Sequence, residues 1–438
     1  MNWPKRNQQK QIWSFLLNGI KSGKTKMKSL KAFRNFDQIL TLEGSYKKDG
    51  RSLKPEDMNV LQKASVVCSP TEILWVGLEK DFPKKYEETA EHSYFDGKVL
   101  TPEIVDSHTH LIFGGDRADE YSMRLNGADY QEIAKSGGGI LNTMRGTQIL
   151  SSEELFDISV ERINRIHSYG IGTIEIKSGY GLTYSKELEL TKVIDKLKKH
   201  FYPRIQIKNT YMAAHAVPKE YKNSKEFMDA VVIPLLEELS DKNIVDAVDI
   251  FHEKNYFDQE DTKLLFKKAQ SLGINRKSHA DEFFDNQGAL LASKYDALST
   301  DHLLQTGQDG IKALADSNTV ATLLPGTGFF LGKPQANARR FLDQGAKVAI
   351  ASDYNPGSCH CDNVILVASL AAPAYQMNMA ELWSSITLNA AHALGLKNQG
   401  AIVQSLRPRF TMFDVSNINS ITYNWGRQLS SGTITTEI

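Results

Sequence analysis

Val105-Asp106-Ser107-His108-Thr109-His110 follows the apolar run from Val99 to Ile104 and opens into Leu111-Ile112-Phe113-Gly114-Gly115. On an extended strand side chains alternate faces, so His108 and His110 project to one side, where two imidazoles can grip one metal ion. The apolar run before the pair and the two glycines after it predict a buried strand ending in a loop, which is where a parallel α/β barrel keeps its chemistry. Two partly buried, hydrogen-bonded histidines fit the same six residues. The rest of the chain has to decide between these readings.

From about Gly97 to Leu396, apolar strand-like runs alternate with charged helical stretches. The strand-like runs include Gly172–Ile176, Ile205–Thr210, Val245–Ile250, Ala297–Thr300, Thr319–Leu324 and Lys347–Ala351; Glu153–His167 and Lys186–His200 are helical in pattern. Strand-helix units repeated in this way favour a (β/α)8 TIM-like barrel over a doubly wound sheet. Short apolar runs on both sides, Ile39–Leu42, Ala64–Cys68 and Ile73–Gly77 before it and Gly400–Val403 and Phe410–Val415 after it, predict a small β-sandwich built from both chain ends. The expected organisation is a basic extension over 1–31, a composite β unit over 32–95 plus 397–438, and the barrel over 96–396.

Composition narrows the function. With 52 basic and 52 acidic residues in 438, the chain has no overall electrostatic pull toward nucleic acid or acidic membranes, and its expected partner is a small molecule. Three cysteines make no disulfide framework and suit a reducing cytoplasm. The apolar patch Trp13–Leu17 is too short for a signal peptide, and no transmembrane span is read.

In a barrel, the polar residues just after each strand converge on one mouth. Here they are Lys177–Gly181, Ala213–Pro218, His279–Glu282, Asp301-His302 and Ser352–Ser358. His279 and Asp353 best complete a mononuclear site with His108 and His110, because a catalytic metal takes N and O ligands and keeps a position open for water. Such a metal lowers the pKa of bound water from about 15.7 toward about 7 and polarises a carbonyl, so hydrolysis is the expected chemistry. Glu282, three residues beyond His279, suits a general base or proton shuttle, although a surface charge would look the same. His302 could steady charge developing on a carbonyl oxygen or be purely structural. Arg117 can fork onto a carboxylate or be a salt-bridged loop residue. Ser136–Ile140 lacks the ending of a phosphate loop, Gly326-Thr327-Gly328 could bring backbone close to a ligand but reads more simply as a turn, and Cys359-His360-Cys361 is not expected to bind metal.

The chain resembles the imidazolonepropionase family of the amidohydrolase superfamily, enzymes of histidine degradation. The resemblance runs from about Phe33 to the C-terminal region through Asp106–His110, Phe113–Gly115, Arg117, Met123-Arg124-Leu125, Ser136–Ile140, Glu175–Leu182, Ala214–Pro218, His279–Glu282, Asp301-His302 and Ser352–Ser358. It implies one zinc or iron ion held by His108, His110, His279 and Asp353. It also implies substrate contacts from Arg117, Tyr180, His215, Glu282, Asn355, Gly357 and Ser358, with Glu282, His302 and Asp353 catalytic. The implied reaction is hydrolysis of 4-imidazolone-5-propanoate to N-formimidoyl-L-glutamate, in a homodimer. Lys177 is expected to be structural or electrostatic, not a carbamylated ligand. Three features depart from the family pattern: the basic leader, the polar insertion from Ser45 to Pro55, and His252 standing where a cysteine is expected before Glu253. A hydrolase or deaminase of another heterocycle would share the metal ligands but has less use for Arg117 beside Tyr180. A catalytically dead binding protein would have lost a ligand, and none is lost.

Overall fold

The structure is a computed structural model that describes residues 30–128, 132 and 138–437. The basic extension before Leu30 lies outside the described residues, as do Ser136 and Gly137 of the glycine string.

Five strands precede the barrel: β1 (Leu30–Leu40), β2 (Val60–Cys68), β3 (Ile73–Leu78), β4 (Ala90–Tyr94) and β5 (Val99–Pro102). The barrel strands are β6 (Ile104–Asp106), β7 (Ile171–Lys177), β8 (Gln206–Ala214), β9 (Ala247–His252), β10 (Asn275–Ala280), β11 (Ser299–His302), β12 (Val320–Leu323) and β13 (Val348–Ile350). Two more, β14 (Arg409–Phe413) and β15 (Ser430–Thr435), come from the C-terminal region.

Strands β6 to β13 form one sheet in sequence order, and every neighbouring pair is parallel. Helices connect them, among them Ser152–Ser168 before β7 and Tyr184–Phe201 before β8. The first starts with a capping box, Ser151 and Glu154 exchanging hydrogen bonds with each other's backbone, and turns Leu155, Ser159, Ile163 and Ile166 inward at helical spacing. The barrel closes just beyond the ends of β6 and β13. There Thr109 bridges Tyr354 in parallel, the His110 N–H donates to the Tyr354 carbonyl at 3.0 Å, and the Asp353 N–H donates to the His108 carbonyl at 3.1 Å. The seam is therefore made by the backbones of the predicted ligands His108, His110 and Asp353 and their neighbours Thr109 and Tyr354.

Strands from both chain ends join in one seven-stranded mixed sheet, ordered β15-β14-β5-β1-β2-β3 with β4 beside β1. The run from Val99 to His110 is not one strand. It splits into β5, which belongs to the small sheet, and β6, which belongs to the barrel, and β6 ends at Asp106 so that His108 and His110 follow it. Glu103 sits at the split, buried, with both carboxylate oxygens 3.0 Å from Arg409 Nε of β14. That bidentate pair ties the two sheets together where the chain passes between them.

Candidate metal centre and substrate pocket

His108 and His110 follow β6, His279 lies on β10 and Asp353 follows β13; all four are buried. One ring nitrogen from each of the three histidines lies within 4.8 Å of the others. His110 Nε2 and His279 Nε2 are 3.2 Å apart, and Asp353 Oδ1 lies 3.4 Å from His108 Nε2 and 3.8 Å from His110 Nε2. Asp353 and the nearby His302 have φ of 52° and 78°, a left-handed backbone that non-glycine residues adopt at a cost and that clusters at functional sites.

The histidines are held by carboxylates from behind. His108 Nδ1 is 2.6 Å from Asp301 Oδ2, and His279 Nδ1 is 3.1 Å from Asp249 Oδ1. A carboxylate accepts a proton-bearing nitrogen, so each contact places the N–H on Nδ1 and leaves the Nε2 lone pair facing the cluster. Burial, then the nearby Lys177, holds His108 well below the usual imidazole range; burial, then His215, does the same for His110. Both rings are thus neutral, the form that ligates metal. His108 Nε2 is buried without a hydrogen-bond partner and faces three other donor atoms, which fits a shared cation. Three imidazoles and one carboxylate accommodate zinc or iron.

A buried ionic network supports these carboxylates. Lys177 Nζ lies 2.8 Å from Glu175, 2.5 Å from Asp249 and 3.7 Å from Asp301. Lys277 Nζ lies 2.7 Å from Glu175, 3.8 Å from Asp301 and 2.8 Å from the Ser107 carbonyl. Burial alone would lower the Lys177 pKa, but Asp249, Glu175 and Asp301 outweigh it and hold the ammonium above its usual range. Its side chain is fully occupied by these ion pairs. The sequence reading gave no role to Glu175, Asp249 or Asp301: for Glu175 and Asp249 the available signal was an acidic residue inside a mostly apolar strand, which has to be paired, whereas Asp301 was placed only among the polar residues at the barrel mouth.

In front of the cluster opens a cavity of about 860 Å³. Every predicted site residue except His108 lines it: His110, Arg117, Tyr180, His215, His279, Glu282, His302, Asp353, Asn355, Gly357 and Ser358. Burial, then the charges of Asp353 and Glu253, pushes the Glu282 carboxyl up to about 8. Its Oε2 lies 3.7 Å from His302 Nδ1, itself buried without a hydrogen-bond partner. Burial, then His279, lowers His215 to about 4 and keeps it neutral. Gly326-Thr327-Gly328 lies in the helix Pro325–Leu331, not in a turn, and from it Thr327 donates to Asp353 Oδ2 at 2.7 Å. The sequence reading also gave no role to Glu187: it accepts the N–H groups of Gly179, Gly181 and Leu182 and so shapes the loop that carries Tyr180.

His252 is accounted for structurally, with one ring nitrogen 2.8 Å from Thr262 Oγ1 and the other 3.2 Å from the Asn286 carbonyl. Glu253 next to it accepts the Phe283 N–H at 2.9 Å and steadies the loop bearing Glu282. No cysteine joins a candidate metal cluster among the described residues.

The Asn355 side-chain oxygen accepts the N–H groups of Gly357 and Ser358, both at 2.8 Å, and folds the last loop tightly over the cavity. A Cβ on Gly357 would stand 1.9 Å from Arg117 Nη1. Gly357→Ala should therefore swing the flexible guanidinium aside with little loss of stability, and should raise KM for a carboxylate-bearing substrate about tenfold. Steady-state kinetics checks this, with an unchanged KM as the contrary result.

The amidohydrolase family model matches residues 99–431. The chain is 37% identical over 400 residues to the imidazolonepropionase of Clostridium tetani, covering 90% of this chain and 94% of that protein. It is 39% identical over 404 residues to that of Bacillus mycoides, covering 90% and 92%. Among solved structures, a triazine hydrolase from an Arthrobacter species superposes with a TM-score of 0.70 at 14% identity, covering 93% of this chain and 94% of that one. Guanine deaminase of E. coli superposes with a TM-score of 0.64 at 13% identity, covering 93% and 98%. An atrazine chlorohydrolase of Arthrobacter aurescens, determined in complex with zinc, gives a TM-score of 0.70 at 14% identity, covering 92% and 94%. At these identities the structural likenesses speak for the fold.

Proposed function

The chain belongs to the imidazolonepropionase family of amidohydrolases, and from that premise we propose that it hydrolyses the cyclic amide C–N bond of 4-imidazolone-5-propanoate to give N-formimidoyl-L-glutamate. The observation that carries this reading is the convergence, in one cavity, of the histidine cluster, the buried Glu282 carboxyl with its pKa raised to about 8, and the Arg117 guanidinium. That combination suits a ring amide bearing a carboxylate arm.

His108, His110, His279 and Asp353 hold one zinc or iron ion, which when bound supplies Lewis acidity toward the ring carbonyl and acidifies water. Glu282 takes a proton from the attacking water and passes it to the ring nitrogen as the C–N bond breaks. His302 stands beside it to donate a hydrogen bond to the carbonyl oxygen as charge develops there. Arg117 and Tyr180 grip the propionate, and His215, Asn355, Gly357 and Ser358 position the ring and the product. Asp301 and Asp249 keep the His108 and His279 rings in the ligating tautomer. The same reading divides the chain into a barrel and a small β unit from both chain ends, with the boundary moved from the expected 95/96 to Glu103, because β5 pairs with β1 and β14 in the small sheet. It also makes the protein a cytoplasmic homodimer; among the described residues no helix is long and apolar enough to cross a membrane.

The test is turnover of freshly generated 4-imidazolone-5-propanoate, followed by absorbance and by mass detection of the product, with metal content assayed on the same sample. Activity that tracks metal occupancy and is lost in His279→Ala supports the reading. A folded, fully loaded protein that leaves this substrate untouched but acts on purines, pyrimidines or hydantoins overturns it.

A further inference from the structure

A second guanidinium lines the cavity beside Arg117: that of Arg124. Arg117 immediately precedes the helix Ala118–Leu125 and Arg124 lies in its last turn, two turns on, so both side chains leave the same face. Glu120 lies between them and is fully engaged. It takes Arg117 Nε and Nη2 at 2.8 and 2.7 Å, the Gly139 N–H at 3.1 Å and the Asn142 side chain at 3.0 Å. Arg124 donates one Nη to the Gly357 carbonyl at 2.9 Å, while its other Nη is buried with no hydrogen-bond partner. Arg117 meets the same residue, since its Nη1 occupies the space a Cβ on Gly357 would need.

Two guanidiniums thus converge on Gly357 with, among the described residues, a single carboxylate between them. Charge balance and hydrogen bonding both call for a second anion at this end of the cavity. Burial, and then the like charge of Arg117, depresses the Arg124 pKa, as expected of a cation awaiting its partner. We infer that Arg124 is the second arm of the substrate's carboxylate clamp: one propionate oxygen bonds to Arg117, the other to the free Nη of Arg124. Arg124 then sets specificity as well as affinity, because a neutral arm in that place leaves the buried Nη of Arg124 without a charged partner and is rejected. This inference rests on the proposed substrate, and its test is arranged to separate the two.

The holoenzyme, Arg124→Met and Arg124→Lys are compared by steady-state kinetics on 4-imidazolone-5-propanoate, and by inhibition with imidazole-4-propionate and its primary amide. In Arg124→Met, KM and the inhibition constant of the carboxylate should rise about 10–100-fold. The change in kcat should stay under about threefold, the amide should bind as before, and the ratio between the two inhibitors should collapse. Arg124→Lys should recover part of the carboxylate preference. A residue that merely props the Gly357 loop would weaken both inhibitors alike, and that result overturns the assignment. Wild-type enzyme that turns over the substrate beside an Arg124→Met variant with an unchanged inhibitor ratio defeats the clamp alone. Wild-type enzyme with no turnover defeats the proposed function and the clamp with it.

Discussion

Glu282→Gln should lower kcat about 10²–10⁴-fold while metal content and Tm stay at their wild-type values. Glutamine keeps the size of the side chain and still makes hydrogen bonds, but it carries no transferable proton. Glu282 suits that task because of where it sits: burial first, then the charges of Asp353 and Glu253, lift its carboxyl to about 8. A carboxyl poised near neutrality can both accept the proton of an attacking water and release it to a ring nitrogen. An ordinary surface glutamate is ionised throughout this range and is a poor proton donor. The loop beneath it is stiffened independently, since Asp281 accepts the N–H groups of Asn286 and Gly288 and Glu253 accepts that of Phe283. Substitution at 282 therefore removes the proton carrier and leaves its support in place. Rapid-quench measurement of the chemical step, with metal analysis of the same sample, decides the point; a fully loaded variant with wild-type kcat takes Glu282 out of the proton path.

The parts of this site that sequence makes legible are those that interrupt an apolar pattern. His108 and His110 stand out because two imidazoles follow a buried run at strand spacing, and Asp353 because it ends the run from Lys347 to Ala351. Strand β10 is invisible by the same criterion, because Asn275, Arg276, Lys277, Ser278 and His279 are all polar. Lys277 can be buried there only because Glu175, 102 residues earlier, and the Ser107 carbonyl meet its ammonium, and no local pattern reveals partners so distant. The contact of His108 with Asp301 likewise depends on barrel register, which sets Asp301 beside His279 on the neighbouring strand. The division of Val99–Asp106 between two sheets is hidden for another reason: the strands on both sides of Glu103 are equally buried, and the pairing of Glu103 with Arg409 marks the boundary. Arg124 appears in the sequence only as the middle of a family string. Its significance emerges when Gly357, 233 residues away, closes against it.

The buried network behind the histidines carries the second large effect. Lys177→Met should destabilise the metal-free protein by about 3–5 kcal/mol, the cost of leaving buried charge uncompensated. It should also weaken metal binding about 10–100-fold. Removing the ammonium leaves Glu175, Asp249 and Asp301, all with fully buried side chains, with Lys277 paired to Glu175 and Asp301 and no ammonium paired to Asp249 among the described residues. In the wild type, burial would raise the Asp249 pKa, but Lys177 and then His279 reverse this and hold it far below the usual carboxylate range. Without Lys177 that depression is lost and the three acids compete for one counter-charge, so at least one has to take up a proton. A protonated Asp249 or Asp301 can turn donor toward its histidine, favour the wrong tautomer and rotate an Nε2 lone pair out of the cluster. The sign of the pH dependence follows. An acid whose folded pKa lies above its unfolded value stabilises the fold at low pH and loses that contribution as pH rises through the folded pKa. The deficit of Lys177→Met should therefore be largest near about pH 8 and shrink toward about pH 5. Urea titrations of the metal-free variant at both pH values, with chelator competition for metal affinity, read these effects separately. Wild-type stability together with wild-type affinity would show that Lys177 does not hold the metal-site histidines in place.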